Sequence, residues 1–269
     1  MKLSEIYKLA DEIAPKALSD EYCRVYGAYD NSGLLVEAGE EIQGILFSLD
    51  LTNAAIDEAI EKGCNLIITH HPAIYGKIGN VCQNDDKLLG GKLVKCIQNG
   101  ISVICMHLNL DVVNGGIDES LQEGVLLSSG NSEGRSAELM HALSQGGYGR
   151  VYALNEISLN ALVENMKQVF TTERILSYGN GEKTLRKAAS FCGAGVDDAS
   201  VAFAKRSGVD VVISADFKHH HVQFLVESGI SVIVLTHYAS EQYGFRKYYK
   251  KICQAVEIPC VYHTDNELF

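Results

Sequence analysis

Residues 64–72, Cys-Asn-Leu-Ile-Ile-Thr-His-His-Pro, end a short apolar run on two adjacent imidazoles. Leu66, Ile67 and Ile68 have the character of a strand buried on both faces. Pro72 disfavours α geometry at His71, so the chain leaves the strand extended. Neighbouring side chains on an extended chain point different ways, which suits two histidines serving two different ions better than one. Taken alone, the pair reads equally as solvated or core histidines at a strand end. Two further groups change the balance. His107-Leu108-Asn109-Leu110-Asp111 and His237-Tyr238-Ala239-Ser240-Glu241 each set a histidine four residues before a carboxylate. On a helical turn those positions share a face, so both groups reach one small volume.

Individually, 107/111 also reads as a strand-end turn, and 237/241 as a helix N-terminus with Glu beside the dipole. Together with His70 and His71, the inventory is four imidazoles, one Asp and one Glu. That exceeds the three protein ligands of one catalytic zinc. It fits two ions about 3.5–4 Å apart, each held by imidazoles and sharing carboxylates. Imidazole and carboxylate without thiolate point to Zn, Mn, Fe, Co or Ni; calcium has no use for four histidines.

The elements that must position these groups follow a local rhythm. A helix opened by Thr52 closes at Gly63, and the strand of 64–69 runs into His70-His71. A helix around Leu88–Gln98 ends at Gly100, and 101–105 run into His107. A helix ending at Gly208 precedes Val209–Ser214, which runs into Asp216 and Lys218-His219-His220-His221. A helix ending at Gly229 precedes Ile230–Leu235, which runs into His237. Helix, glycine, apolar strand and polar tip, four times over, predict an α/β protein with a largely parallel sheet. Ligands of open α/β sheets bind beyond the carboxyl ends of strands, so the tips are where chemistry belongs. Asp30-Asn31-Ser32-Gly33 reads as a turn into a further strand, and Ile45–Asp50 as another.

The chain has 269 residues, a formal net charge of −11 and a pI near 5.3. An acidic chain repels phosphate backbones, which argues against nucleic-acid binding. No apolar run reaches the length of about 18 residues that a spanning helix needs, and Met1-Lys2-Leu3-Ser4 does not open a secretory leader. The eight cysteines show no CxxC spacing, and several sit in apolar runs. Reduced core thiols and a cytoplasmic location are the expectation.

Several pieces occur in a fixed order: Asp30-Asn31-Ser32-Gly33-Leu34, Ile67–Pro72, His107-x-Asn109-x-Asp111 with Gly115-Gly116, Gly149-Arg150-Val151, Gly193-Ala194-Gly195, Asp216-x-Lys218-His219-His220 and His237–Glu241. In this the chain resembles the Nif-three-like family, whose members often carry the name GTP cyclohydrolase 1 type 2 homologue. The resemblance covers nearly the whole chain. It implies a dinuclear metal site with His70, His71, His107, Asp111, His237 and Glu241 as ligands. It also implies two α/β domains of Nif-three-like type, with the metal site at strand carboxyl ends, and assembly into a homohexamer. Val234 and Thr236 depart from the Asp and Gly usual before the last histidine, and His221 stands where an acidic residue often follows.

The stretch 127–149, rich in Ser, Gly and Asn, suits a linker. Residues 1–126 with 229–269 are therefore expected to form a discontinuous metal-binding domain, and 127–228 a second domain. Gly193-Ala194-Gly195 is expected to be a tight turn rather than an anion loop. The functional expectation is a hydrolase of a small molecule, a nucleotide or phosphoester, activating water with two divalent ions. Lys218 and His220 would bind substrate charge and move protons; loss of ions on their substitution would make them ligands instead. The alternative is a metal-binding hexameric scaffold or regulatory interaction protein without turnover.

Overall fold

The computed structural model of the chain describes residues 1–85, 87–131 and 137–266. Two compact units emerge, Met1–Val113 with the described residues from Phe245, and Asn114–Gly244. In the first, α1 (Leu3–Ile13) and α2 (Lys16–Tyr26) precede β1 (Gly33–Val36), β2 (Ile45–Ser48) and α3 (Asn53–Lys62). The strand β3 (Leu66–Thr69), α4 (Leu89–Gln98), β4 (Ser102–Cys105) and the short α5 (Leu108–Val112) follow. The second contains α6 (Ile117–Ser128), β5 (Glu138–Ala142), β6 (Gly147–Ser158), α7 (Leu159–Phe170), β7 (Ile175–Tyr178) and β8 (Thr184–Ser190). It continues through α8 (Asp198–Arg206), β9 (Val211–Ser214), α9 (His219–Glu227) and β10 (Ser231–Leu235). In α10 (His237–Ala255), residues 237–244 belong to the second unit and the rest to the first, which β11 (Cys260–Tyr262) completes.

The first unit's sheet has the order β1-β4-β3-β2-β11 and is parallel except for β1. Thr52 accepts a hydrogen bond from Ala55 N at 3.1 Å and starts α3, while Gly63 ends it at φ +68°, a left-handed cap that favours glycine. The return into β3 is thereby fixed. Leu46, Ile67 and Val103 pack with Ala55, Ile56, Ala59, Leu93 and Cys96 in one buried cluster, and Phe47 meets the rings of Phe245, Tyr248 and Tyr249. Burial at this level contributes about 1.5–3 kcal/mol for each large apolar side chain. The core therefore clamps the strand whose tip carries the two histidines. Ser48, Thr69 and Cys105 are in register across β2, β3 and β4, so their polar tips share one edge. The antiparallel β1 pairs its first residue, Gly33, with Cys105, which brings the preceding Asp30 to that same edge.

The second unit's sheet runs β5-β6-β8-β9-β10-β7, parallel only across β8, β9 and β10. The four helix–glycine–strand repeats do not build one sheet: β3 and β4 lie in the first, β9 and β10 in the second. β10 pairs with β9 on one side and β7 on the other, and α6 packs against α7 and β6. The units accordingly divide at 113/114 and 244/245, where the sequence reading had placed 126/127 and 228/229. Within the expected linker, residues 132–136 lie outside the described residues; β5 and the start of β6 occupy much of its remainder. Among the described residues, no helix is long and apolar enough to cross a membrane. Cys64, Cys96, Cys105 and Cys192 are buried free thiols.

Candidate metal centre

At the first unit's strand edge, His70, His71, His107 and Asp111 come together. The ligand atoms of His70, His107 and Asp111 lie within 4.8 Å of one another, and the His71 ring centroid is 4.8 Å from that of His70 and 5.9 Å from that of His107. His107 caps α5 and its carbonyl accepts from Asp111 N at 2.9 Å, closing the helical turn that the spacing predicts. Asn109 anchors that turn through a buried hydrogen bond from Nδ2 to Ala14 O.

Each ring is oriented through Nδ1. His70 Nδ1 lies 2.8 Å from Met106 O, His71 Nδ1 2.8 Å from Asp50 Oδ1, and His107 Nδ1 2.7 Å from Asp30 Oδ1. A carbonyl or carboxylate oxygen can only accept, so Nδ1 carries the proton and the neutral ring presents the Nε2 lone pair. His70 Nε2 sits 3.5 Å from Asp111 Oδ1. Burial alone would raise the Asp30 pKa, but hydrogen bonds from His107, Ser19 and Ser32 outweigh it and hold the carboxyl well below the ordinary carboxylate range. Burial lowers the His107 pKa, yet the Asp30 hydrogen bond and the charge of Asp111 overcome it and the net shift is upward. The upward shift of His107 records the negative charge of Asp30 and Asp111 beside it, and the downward shift of Asp30 records the hydrogen bonds it accepts. The Cys105 thiol, pushed well up by burial, donates to His70 O at 3.0 Å and serves the strand.

In the second unit the pattern recurs. His237 and Glu241 occupy the first turn of α10, with Nε2 3.2 Å from Glu241 Oε1, and His237 Nδ1 is 2.7 Å from Asp216 Oδ2. The loop Gly193-Ala194-Gly195 is a tight turn as expected, but its packing serves this pair. Gly193 has φ +53°, and a Cβ there would stand 2.3 Å from Glu241 Oε1. Its N–H donates to Ser240 Oγ, whose hydroxyl donates to His237 O. Only glycine lets the backbone approach the carboxylate so closely.

Lys218 is the exposed residue preceding α9, while His220 joins His221 and Asp198, apart from the His237–Asp216 contact. The anchoring residues Asp30, Asp50 and Asp216 were legible only as turn or strand-tip carboxylates; their ring partners lie 77, 21 and 21 positions away. The donors fit transition-metal ions on chemical grounds: in each unit the imidazoles have Nδ1 held by an oxygen, a carboxylate for His71, His107 and His237 and a backbone carbonyl for His70, as metal-ligating histidines do.

Comparison with known proteins agrees with this reading of the fold. The sequence profile of the family Duf34/NIF3 (NGG1p interacting factor 3) matches residues 1–266. A GTP cyclohydrolase 1 type 2 homolog of Clostridium acetobutylicum is 32% identical over 90% of this chain and 85% of its own length. The NGG1-interacting factor 3 of Saccharomyces cerevisiae is 27% identical over 91% of this chain and 87% of its own. Among solved structures, a hypothetical protein of Staphylococcus aureus superposes with a TM-score of 0.81 at 23% identity, covering 99% of this chain and 97% of that one. A Bacillus cereus protein related to NIF3 gives 0.77 at 20%, covering 100% and 99%. With a profile match along almost its entire length and the fold shared with these structures, the chain belongs to the Duf34/NIF3 family.

Proposed function

We propose that the chain is a divalent-metal-dependent hydrolase of a nucleotide or phosphoester, with His70, His71, His107, Asp111, His237 and Glu241 holding two ions of Zn, Mn, Fe, Co or Ni. The observation that carries this is the common orientation of the four imidazoles, each held through Nδ1 by an oxygen. Bound there, the ions would supply Lewis-acid activation of a water at neutral pH. The names of the clostridial relatives support cyclohydrolase-type chemistry. This chain's residues do the positioning: Asp30, Asp50 and Asp216 fix the rings, and Asp111 and Glu241 bring negative charge to the ions.

In the second unit, a cavity of about 670 Å³ borders Asp216 and is walled by Phe217, Tyr178, Leu176 and Val222. It is of the size that small-molecule sites have, and its apolar walls suit a planar ring. Phe217 and His219 line it on either side of Lys218 in sequence, and Lys218 is the cation proposed for an anionic substrate group. His220, grouped with Asp198 and His221, is the residue proposed to move protons. A second reading, a homohexameric metal-binding interaction protein in the cytoplasm without turnover, draws on the yeast relative's name as an interacting factor.

The deciding experiment is metal analysis of freshly purified, chelator-free protein, followed by a screen of nucleotides and phosphoesters with the native metal restored. At least two ions per chain and turnover that falls about 10²-fold in Lys218→Ala, with the ion count kept, are expected. One ion or none would end the dinuclear reading; two ions without turnover in a broad screen would favour the interaction protein. Asp50→Ala should weaken ion binding about 10–100-fold, read by competition with a chromophoric chelator. Its side chain is 38% exposed, so the fold should be kept, and unaltered affinity would mean that His71 is held by other contacts.

A further inference from the structure

Another constellation of ligating atoms occupies the second unit, where α8 packs on α9. Asp198 is the first residue of α8, and His220 and His221 lie in the first turn of α9. One ligand atom from each falls within 4.8 Å of the others. His221 is 3% exposed, and its Nε2 is 2.9 Å from Asp198 Oδ1. With Nε2–H donating to that carboxylate, the neutral ring leaves its lone pair on Nδ1. That nitrogen is buried and has no hydrogen-bond partner among the described residues. Nδ1 and Nε2 diverge across the ring, so Nε2, beside the carboxylate, is the atom that can share an ion with Asp198. The His220 ring stands 4.3 Å from that of His221, centroid to centroid, at 66°.

We infer that Asp198, His220 and His221 bind one further divalent transition-metal ion. Two imidazoles and one carboxylate form the donor set of a three-ligand zinc site that leaves a fourth position open. Bonds of about 2.0–2.2 Å to one tetrahedral ion separate its donor atoms by about 3.2–3.5 Å. The 2.9 Å approach of His221 to Asp198 is already close to that, so an ion can take the place of the shared proton with small side-chain rotations. Imidazole donors exclude magnesium and calcium as the preferred occupants. The open position faces a cavity of about 800 Å³ lined by Val201, Ala202, Lys205, Arg206 and Phe224. Lys205 is held over the Phe224 ring at 4.6 Å and Arg206 over Phe203 at 5.1 Å, so neither cation is loose beside the ion.

The test is Co²⁺ uptake by the full chain after chelation and gel filtration, with bound metal counted by elemental analysis. His220→Gln and Asp198→Asn replace exposed side chains, and circular dichroism confirms their folding. Each is expected to bind one equivalent less than wild type at a Co²⁺ concentration that saturates it. His71→Ala, altered in the other group, is expected to keep this ion, which separates the inference from the dinuclear reading. If His71→Ala changes nothing while His220→Gln loses an equivalent, this site stands and the dinuclear one falls. Equal Co²⁺ uptake by wild type, His220→Gln and Asp198→Asn would overturn it. Should one variant misfold, the other decides.

Discussion

Asp118→Ala is expected to destabilise the second unit by about 3–5 kcal/mol, more than any other single substitution considered for that unit. Asp118 is fully buried in the first turn of α6. Its Oδ2 accepts from Arg150 Nε at 2.9 Å and from Gly149 N at 3.1 Å, and its Oδ1 accepts from Cys192 N at 3.3 Å. The Arg150 side chain is 7% exposed, with secondary contacts to Gly147 O and Glu119. Removing the carboxylate leaves a guanidinium and two N–H groups in a low-dielectric interior without their main acceptor. The consequence reaches the site, because Cys192 directly precedes Gly193, the residue packed on Glu241. Chemical denaturation followed by circular dichroism measures the loss. Asp118→Leu combined with Arg150→Met should cost less than Asp118→Ala alone, since it removes both charges together. A single-variant loss below about 1 kcal/mol would show that water replaces the carboxylate and that the pair is not sealed.

That network also shows what the sequence disclosed and what it hid. Gly149-Arg150-Val151 was visible as a motif, but nothing local linked it to Asp118, 32 residues earlier in the chain. The rhythm of helix, glycine and strand was readable because each part is short-range. Gly63, Gly100, Gly208 and Gly229 all adopt left-handed φ, and β3, β4, β9 and β10 follow them. Which strands pair is a long-range matter: two apolar strands with similar flanks look alike whether they share a sheet or not. β10 pairs with β9 and β7 in the second unit, while the sequence reading sets 229–269 with 1–126. β7 was missed because Leu176, Ser177 and Tyr178 are exposed, so the edge strand lacks the apolar pattern that marks its neighbours.

The ligating histidines were legible for the same local reason, as polar residues where apolar runs stop. Their supports were not. Asp30 and Asp50 look like turn residues, and only the sheet's registers show that an antiparallel β1 and a parallel β2 deliver both to one edge. Conversely, the triplet His219–His221 reads from sequence as a source of substrate-binding and proton-moving groups rather than of ligands. The neighbouring α8 supplies the carboxylate that gives two of its members a shared purpose, and no spacing rule connects position 198 with 221.

His71→Ala is expected to have the largest effect on turnover, on the order of 10³-fold or more, which exceeds the usual cost of one lost electrostatic stabiliser. The choice of residue follows from burial. His70 is fully buried and Glu241 is 3% exposed, so their removal would mix lost ligation with lost packing. His107 has another drawback: its partner Asp30 has a side chain only 1% exposed, and the substitution would strand a buried carboxylate. The His71 side chain is 23% exposed and that of its partner Asp50 is 38% exposed, so water can replace the imidazole at Asp50. His71→Ala should therefore fold like wild type, with stability changed by about 1 kcal/mol or less when both are free of metal. In metal-loaded protein the difference should widen, because ions that bind the folded state stabilise it by about 2.7 kcal/mol at a hundredfold excess over Kd. The measurements are ion count, thermal stability with and without chelator, and turnover of the substrate found by screening. A variant that keeps the wild-type ion count, gains the same stability from metal and retains turnover would remove His71 from the ligand set. The i+1 pair at 70 and 71 would then be a strand end holding a single ligand.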